Sequence, residues 1–577
     1  MSQTTLQEKT ESDLSELSSW SLADNVIVVG IMLFSVFYCI ALLTLLPFDQ
    51  IQGGDAANIA GFAAGWDYPE NFYGDGLLSN PDNFRFYATV HIPVLQFLAP
   101  LTGGYGSAFS SLLGLHVFLQ SFGFYILGKL LFQNKYWAVL LVVLNLMPVW
   151  FNLGEFWGAY PNAIPRFSFQ ALLPFLLAAV YYWRLTPKAW PWVMAFAGLL
   201  VYAHPVSAPG WAFAVWLSLW LFLPKAYTLP RKVAYMGFIG LICTAVVLPF
   251  LIHYLANHEH GAVENQRQVY EIMKGRFLEG YLELPTAVKQ FFLILHKKYL
   301  LVLSVIGSSI TLVLHRSRRD VLLVLLWIVG LLIFNVCLPI LGHTIAEMRG
   351  EIPAQIDLIR GIRYLVPLML LFCIWPLVEL SHRFKAYHFK ISAIGAILVS
   401  IWVYWHPIGF FPKAVGCWQQ GDFQCFTDRI HGTAELLDAL PGGVPPASPI
   451  FVAPSAMDTS LAIRYHSLLP VVYSSKDGGA LAYANHAELL NWNQIRGKMD
   501  LINQESDPEN ELRMLSELSC DTDAQYLLTS KVFTEANQTV PRPFPNSSYF
   551  SQLNLQEIYS NDIFSLLKIE GYCSNRK

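Results

Sequence analysis

The stretch FDQIQGGDAANIAGFAAGWDYPENFYGDG, residues 48–76, follows the apolar run 25–46 and holds Asp49, Asp55, Asp67, Glu70 and Asp75 with no Lys or Arg. With Asp82 included, six acids face one base, Arg85, before the next apolar run. A solvated loop would also be polar. Two features argue for a packed one. Gly53-Gly54 lets the backbone bring the Asp55 carboxylate close to a substrate. Aromatic residues crowd the acids in WDYPENFYGDG and FRFY. A packed carboxylate at a membrane surface suits a general base or a metal ligand. Asp55 is the first candidate base and Asp49 the second, being nearer the bilayer.

Cationic candidates lie farther along. Glu155 and Arg166 flank FWGAYPNAIP, His204 sits in VYAHPVSAPG, and Arg360 and Arg363 lie in DLIRGIRYLVP. The i,i+3 spacing of the last two puts them on one helical face. Two planar guanidinium forks suit a phosphate or pyrophosphate, which they pair bidentately. The plainer alternatives are pairing with Asp357 or interfacial snorkelling for the two arginines. For Arg166 the alternative is a salt bridge to Glu155, and for His204 a buried position beside a kink. SSKDGGALAY carries Lys476 and Asp477 on a Gly-rich turn after a predicted strand. Such a turn is either a ligand site at a strand's carboxyl end or an ordinary tight turn.

The elements that must position these residues are mostly apolar. The chain has 577 residues, 54% hydrophobic and 14% charged, where soluble domains carry roughly 25% charged residues. That pattern predicts a polytopic α-helical membrane protein. The net charge of −4 and the lack of a basic tail, a Walker loop, a GxGxxG or a zinc-spaced CxxC pair speak against nucleic-acid and nucleotide partners. Residues 1–24 form a polar tail. The run 25–46 is long enough to span a bilayer and lacks the basic start of a signal peptide. Further apolar runs near 107–128, 136–153, 168–183, 190–204, 206–223, 234–252, 299–314, 321–341, 364–380 and 391–408 bring the expected count to about eleven. The run 88–101 is short and predicts an interfacial or re-entrant piece.

Lys and Arg concentrate in alternate loops, at 129–135, 184–188, 225–232, 316–319 and 383–390, which predicts those loops and the N-terminus to be cytoplasmic. An odd span count then places 409–577 outside. Cys417, Cys425, Cys520 and Cys573 all fall there, as suits an oxidising compartment, and Cys417–Cys425 with Cys520–Cys573 is the simplest of three pairings. Strand-like SPIFVAP, LPVVYS, AQYLLTS and IFSLLKI alternate with helical patterns around 431–440, 457–466, 484–500 and 508–519. That predicts an extracytoplasmic α/β domain. The expected division is therefore a tail at 1–24, a transmembrane domain at 25–408 with an acidic outer loop at 48–87, and an outer domain at 409–577.

This layout resembles the GT-C superfamily of polyprenol-phosphate-sugar-dependent membrane glycosyltransferases. AIPRFSFQALLPFLLAAVYYW and GLLVYAHPVSAPGWAFAVWL are similar to the Arg and His-Pro segments of bacterial members, and residues 453–492 resemble the outer domain of uncharacterised bacterial relatives. The adjacent acidic pair of many mannosyltransferases and the WWDYG-type motif of oligosaccharyltransferases are missing. The resemblance implies transfer of a sugar, with inversion, from an isoprenoid-phosphate carrier to an acceptor outside the cell membrane; that acceptor is left open between glycan, lipid and protein. It implies Asp55 or Asp49 as base and Arg360, Arg363, Arg166 and His204 around the donor phosphate. Asp67, Asp75, Glu155 and Lys476 complete the expected substrate-binding wall, in a protein partnered by membrane lipids. The acid count leaves room for a divalent metal, Mg or Mn, though no ligand spacing demands one. Two rival classes stand beside this reading: a non-catalytic membrane scaffold and a lipid or solute transporter. The transporter is disfavoured by the few ionisable residues inside the spans and by the lack of an internal repeat.

Overall fold

The computed structural model describes residues 20–47, 54–150, 156–160, 162–257, 266–276, 298–315, 317–349, 358–406, 410–535, 538–542, 544–545 and 547–570. Among the described residues six helices are long and apolar enough to cross a membrane: Leu22–Leu43, Tyr105–Phe132, Leu229–Asn257, Arg318–Ala346, Leu358–Arg383 and Lys385–Trp405. Lys135–Leu146, Ala208–Phe222 and Tyr299–Leu314 are shorter and equally apolar in character. The protein is a membrane-embedded helical protein. Only 17% of the Leu229–Asn257 window and 11% of the Lys385–Trp405 window are buried inside the protein. Faces that apolar and that bare fit a lipid surround rather than water.

The bundle packs by close approach. Fully buried Trp137, Trp157, Trp211, Trp327 and Trp375 fill its core. A Cβ at Gly307 would lie 1.9 Å from the Phe372 carbonyl oxygen, so a glycine is required where helix Lys298–Leu314 crosses helix Leu365–Arg383. Small residues at crossings are the usual way for membrane helices to gain contact. Buried ion pairs tie helix ends together at one end of the bundle: Lys129 with Asp24 at 2.9 Å and Arg184 with Asp320 at 2.8 Å.

At the opposite end lies a second core. The expected acidic loop is not a loop over its described part. Residues Gly54–Asp67 form a helix, followed by short 3-10 turns at Pro69–Phe72 and Pro81–Asn83. The cause is the Ala-rich run DAANIAGFAAG, which favours helix and buries nine residues of that helix. The run 88–101 becomes the helix His91–Thr102 beside it. These elements share one apolar cluster with residues 451–567. The expected division at 408/409 is therefore not a packing boundary.

The C-terminal part is built round a four-stranded mixed sheet. Strand Ile450–Val452 runs parallel to Tyr526–Ser530, which pairs antiparallel with Phe564–Ile569, and Leu555–Ser560 forms the far edge. LPVVYS, expected as a full strand, contributes only a single parallel bridge between Ile450 and Val471. The Gly-rich turn opens a helix, Asp477–Ala484. Cys417 and Cys425 form a disulfide. Cys520 is disulfide-bonded too, and its expected partner Cys573 lies outside the described residues.

One buried ion cluster locks the Gly54–Asn83 segment to this sheet. Arg464 donates from Nε to Asp75 Oδ2 at 2.7 Å, and from Nη1 and Nη2 to Asp477 at 2.6 and 2.9 Å. All three side chains are at most 1% exposed. Asp75 Oδ1 also accepts the Leu77 and Leu78 N–H groups, and Oδ2 the Val471 N–H. Asp75 was expected to touch substrate; both its oxygens are engaged inside the fold. Removing one partner of a buried ion cluster strands charge without water and costs roughly 3–5 kcal/mol. Arg464→Ala is expected to destabilise the protein by about that much, read from denaturant or thermal unfolding in detergent. A change below about 1 kcal/mol would refute the lock.

Candidate active site

Asp55 lies in the first turn of helix Gly54–Asp67, on the sheet-bearing side of the bundle. Its Oδ2 accepts a 2.6 Å hydrogen bond from Arg166 Nη2, and its Oδ1 lies 3.5 Å from Lys476 Nζ. Arg166 comes from the first turn of helix Pro165–Trp183, where Pro165 starts the helix. Lys476 is delivered by the Arg464 lock, since Asp477 is the next residue. Gly54 matters here: a Cβ on it would lie 2.7 Å from Lys476 Cε. The sequence argument for Gly53-Gly54 was close approach to a substrate; at Gly54 the close neighbour is this lysine.

Desolvation pushes the Asp55 carboxyl up. The charges of Arg166, Lys476 and Arg360 outweigh that and hold it below the ordinary value of 3.8. It is therefore a carboxylate at neutral pH, and about half of its side-chain surface still meets solvent.

Arg360 and Arg363 stand in the 3-10 segment Leu358–Tyr364, where residues three apart eclipse each other. Arg363 Nε donates to the Arg360 carbonyl at 3.0 Å. The charges of Arg363, Arg166 and Arg360 all act on His204. Its Nδ1 accepts the Ser207 N–H at 3.2 Å, and the Ser207 hydroxyl, itself accepting from Tyr364, lies 2.8 Å away. That network assigns the proton to Nε2, leaving His204 neutral with one donor to offer. The structure thus brings together Asp55, Arg166, Lys476, Arg360, Arg363 and His204 from five separate stretches of chain.

Other expected residues lie elsewhere. Asp67 sits at the far end of the helix from Asp55, about 18 Å along it at 1.5 Å per residue. There it accepts from Gln96 at 2.6 Å and the Tyr105 hydroxyl at 2.5 Å. Asp49, Glu155 and Asp357 lie outside the described residues; among those described, Arg166 pairs with Asp55. Among the described residues no three His, Cys, Asp or Glu side chains converge on a point where one metal ion could bind.

Three contributors escaped the sequence reading. Tyr87 lies close enough to feel the charges of Asp55 and Arg166. His91 Nε2 lies 3.1 Å from the Ala163 carbonyl and 3.0 Å from Ser168 Oγ, which fastens the segment bearing Arg166. Arg464 gave no signal, because one arginine in an apolar run looks the same whether it meets carboxylates or water.

No protein-family model matches the chain, and no curated protein matches it.

An ion pair this exposed contributes about 0–1 kcal/mol. Asp55→Asn is therefore expected to shift unfolding by no more than about 1 kcal/mol. Because the carboxyl ionises below 3.8, the pair is complete above that pH, and the small effect should be constant from pH 5 to 8. A loss comparable to that of Arg464→Ala would make Asp55 a structural residue.

Proposed function

We propose that the chain is an integral-membrane glycosyltransferase. It moves a sugar from an isoprenoid-phosphate carrier to an extracytoplasmic acceptor, with inversion. In this reading about eleven spans cross the cell membrane, the N-terminus is cytoplasmic and the sheet-bearing part forms an extracytoplasmic α/β domain. The observation that carries the proposal is the Asp55 carboxylate held by Arg166 and Lys476 at the mouth of an apolar bundle. A carboxylate among several cations, next to lipid, is the chemistry that a lipid-linked sugar phosphate needs.

The donor's tail lies between helices. Its phosphate takes the place of Asp55 on Arg166, Lys476 and Arg360, with Arg363 and the His204 Nε2–H behind them. This exchange resolves an apparent conflict. A carboxylate clamped by an arginine is a weak base, but a phosphate that draws the cations away raises its basicity. Asp55 then takes the acceptor hydroxyl's proton. The acceptor oxygen bonds to the anomeric carbon from the face opposite the leaving group. The bond from that carbon to the phosphate oxygen breaks, and its electron pair leaves with the isoprenoid phosphate. The cations offset the charge growing there.

General-base removal costs about 10²–10⁴ in rate. With isoprenoid-phosphate sugar donors in detergent or nanodiscs, Asp55→Asn should lose transfer by about that factor while remaining folded. Near wild-type transfer by this variant would exclude Asp55 as the base. If no donor of this class supports transfer by the wild-type chain, the proposal fails.

A further inference from the structure

A cleft of about 410 Å³ opens between residues 74–83 and the helix His486–Ile502. Its volume falls within the roughly 300–1,000 Å³ of small-ligand sites. Asp477 lines it, and the neighbouring Lys476 reaches Asp55. The cleft and the Asp55 cluster thus meet at one dipeptide.

Their chemistry is opposite. The Asp55 cluster is rich in cations. The cleft's one lysine, Lys498, is paired at 2.8 Å with Asp521, which also lines it. The carboxylates at its base, Asp75 and Asp477, are held by Arg464. The rest of the accessible polar wall is dominated by amides and hydroxyls, with Asn80, Asn491 and Gln494 exposed and Glu488 half-buried. A wall without an unpaired cation does not attract phosphate, and a wall this polar does not hold a lipid tail. Primary amides donate and accept at once, as sugar hydroxyls do. Asn491 and Gln494 are three apart on one helix and share a face.

We propose that this cleft is a binding subsite for a neutral carbohydrate, the acceptor glycan of the transfer reaction. The assignment of acceptor rests on the transferase reading; the binding itself does not. The donor then lies on the cationic side of Lys476–Asp477 and the acceptor on the amide side. An uncharged acceptor avoids competing with the donor phosphate for Arg166 and Lys476.

The test is calorimetric titration of the full-length protein in detergent with chitotetraose, cellotetraose and maltotetraose, and with tetragalacturonate as the anionic counterpart. At least one neutral tetramer should bind, and tetragalacturonate should not. The double variant Asn491→Ala/Gln494→Ala should weaken binding about tenfold through loss of its amide contacts. Alanine at exposed helical positions favours the helix, so this variant folds. The subsite is overturned if none of the three neutral tetramers binds, if the double variant keeps wild-type affinity, or if tetragalacturonate binds as tightly. Transfer activity without cleft binding removes the subsite alone. Cleft binding without any transfer removes the transferase alone and leaves a carbohydrate-binding membrane protein.

Discussion

The buried pairing of Arg464 with Asp75 and Asp477 is the constraint on which the rest of the site depends. It joins residues nearly 400 positions apart, the separation of Asp75 and Arg464 being 389. An unpaired charge in that interior would be costly, so the three groups specify one another. The consequence is positional. Once Asp477 is fixed, Lys476 must emerge beside Gly54, and Asp55 meets a lysine from the other end of the chain. The lock also explains why the helix Gly54–Asp67 belongs to the same core as the sheet, although it is the next described helix after Leu22–Leu43.

The site built on that lock gathers cations round a carboxylate. Around Asp55 stand Arg166 and Lys476 within 3.5 Å, with the charge of Arg360 also acting on it. Cations grouped round one carboxylate are the kind of setting in which the phosphate of the proposed donor would be held. The arginines are suited to a phosphate because the guanidinium keeps its charge and its fork geometry in a low-dielectric setting. The neutral His204 adds a donor without adding a charge. On the far side of Lys476–Asp477 the surface changes to amides and hydroxyls, with a closed ion pair and the Glu488 carboxylate. The proposed donor and acceptor would then sit on either side of one dipeptide without competing.

Part of this was legible in the sequence. Long apolar runs announce spanning helices because only a helix satisfies its backbone within lipid. Asp55, Arg166, His204, Arg360 and Arg363 could be singled out because ionisable residues at span ends are few. What the sequence withheld was pairing. Glu155 is nearer to Arg166 in the chain than Asp55 is, and nothing in one sequence says which carboxylate a guanidinium will meet. Asp75 looked like its acidic neighbours, yet it is buried beneath Arg464. The helix at Gly54–Asp67 was hidden because its acids and glycines suggested a loop, while its alanines decided the backbone. The strand expected at LPVVYS reduces to one bridge, in which Ile450 donates to the Pro470 carbonyl and accepts the Val472 N–H, while on its other side Val471 donates to Asp75.

The central claim is that the Asp55 cluster seats the phosphate of an isoprenoid carrier. The most direct measurement is equilibrium binding of an isoprenoid monophosphate against the same isoprenoid alcohol, by native mass spectrometry. The phosphate should bind and the alcohol should not compete with it. Arg166→Ala combined with Arg360→Ala should weaken binding by at least about tenfold, equivalent to roughly 1.4 kcal/mol. Asp55→Asn should tighten binding, because it removes the carboxylate that competes for the same cations. Equal binding of alcohol and phosphate, or arginine variants that bind as the wild type does, would contradict the account.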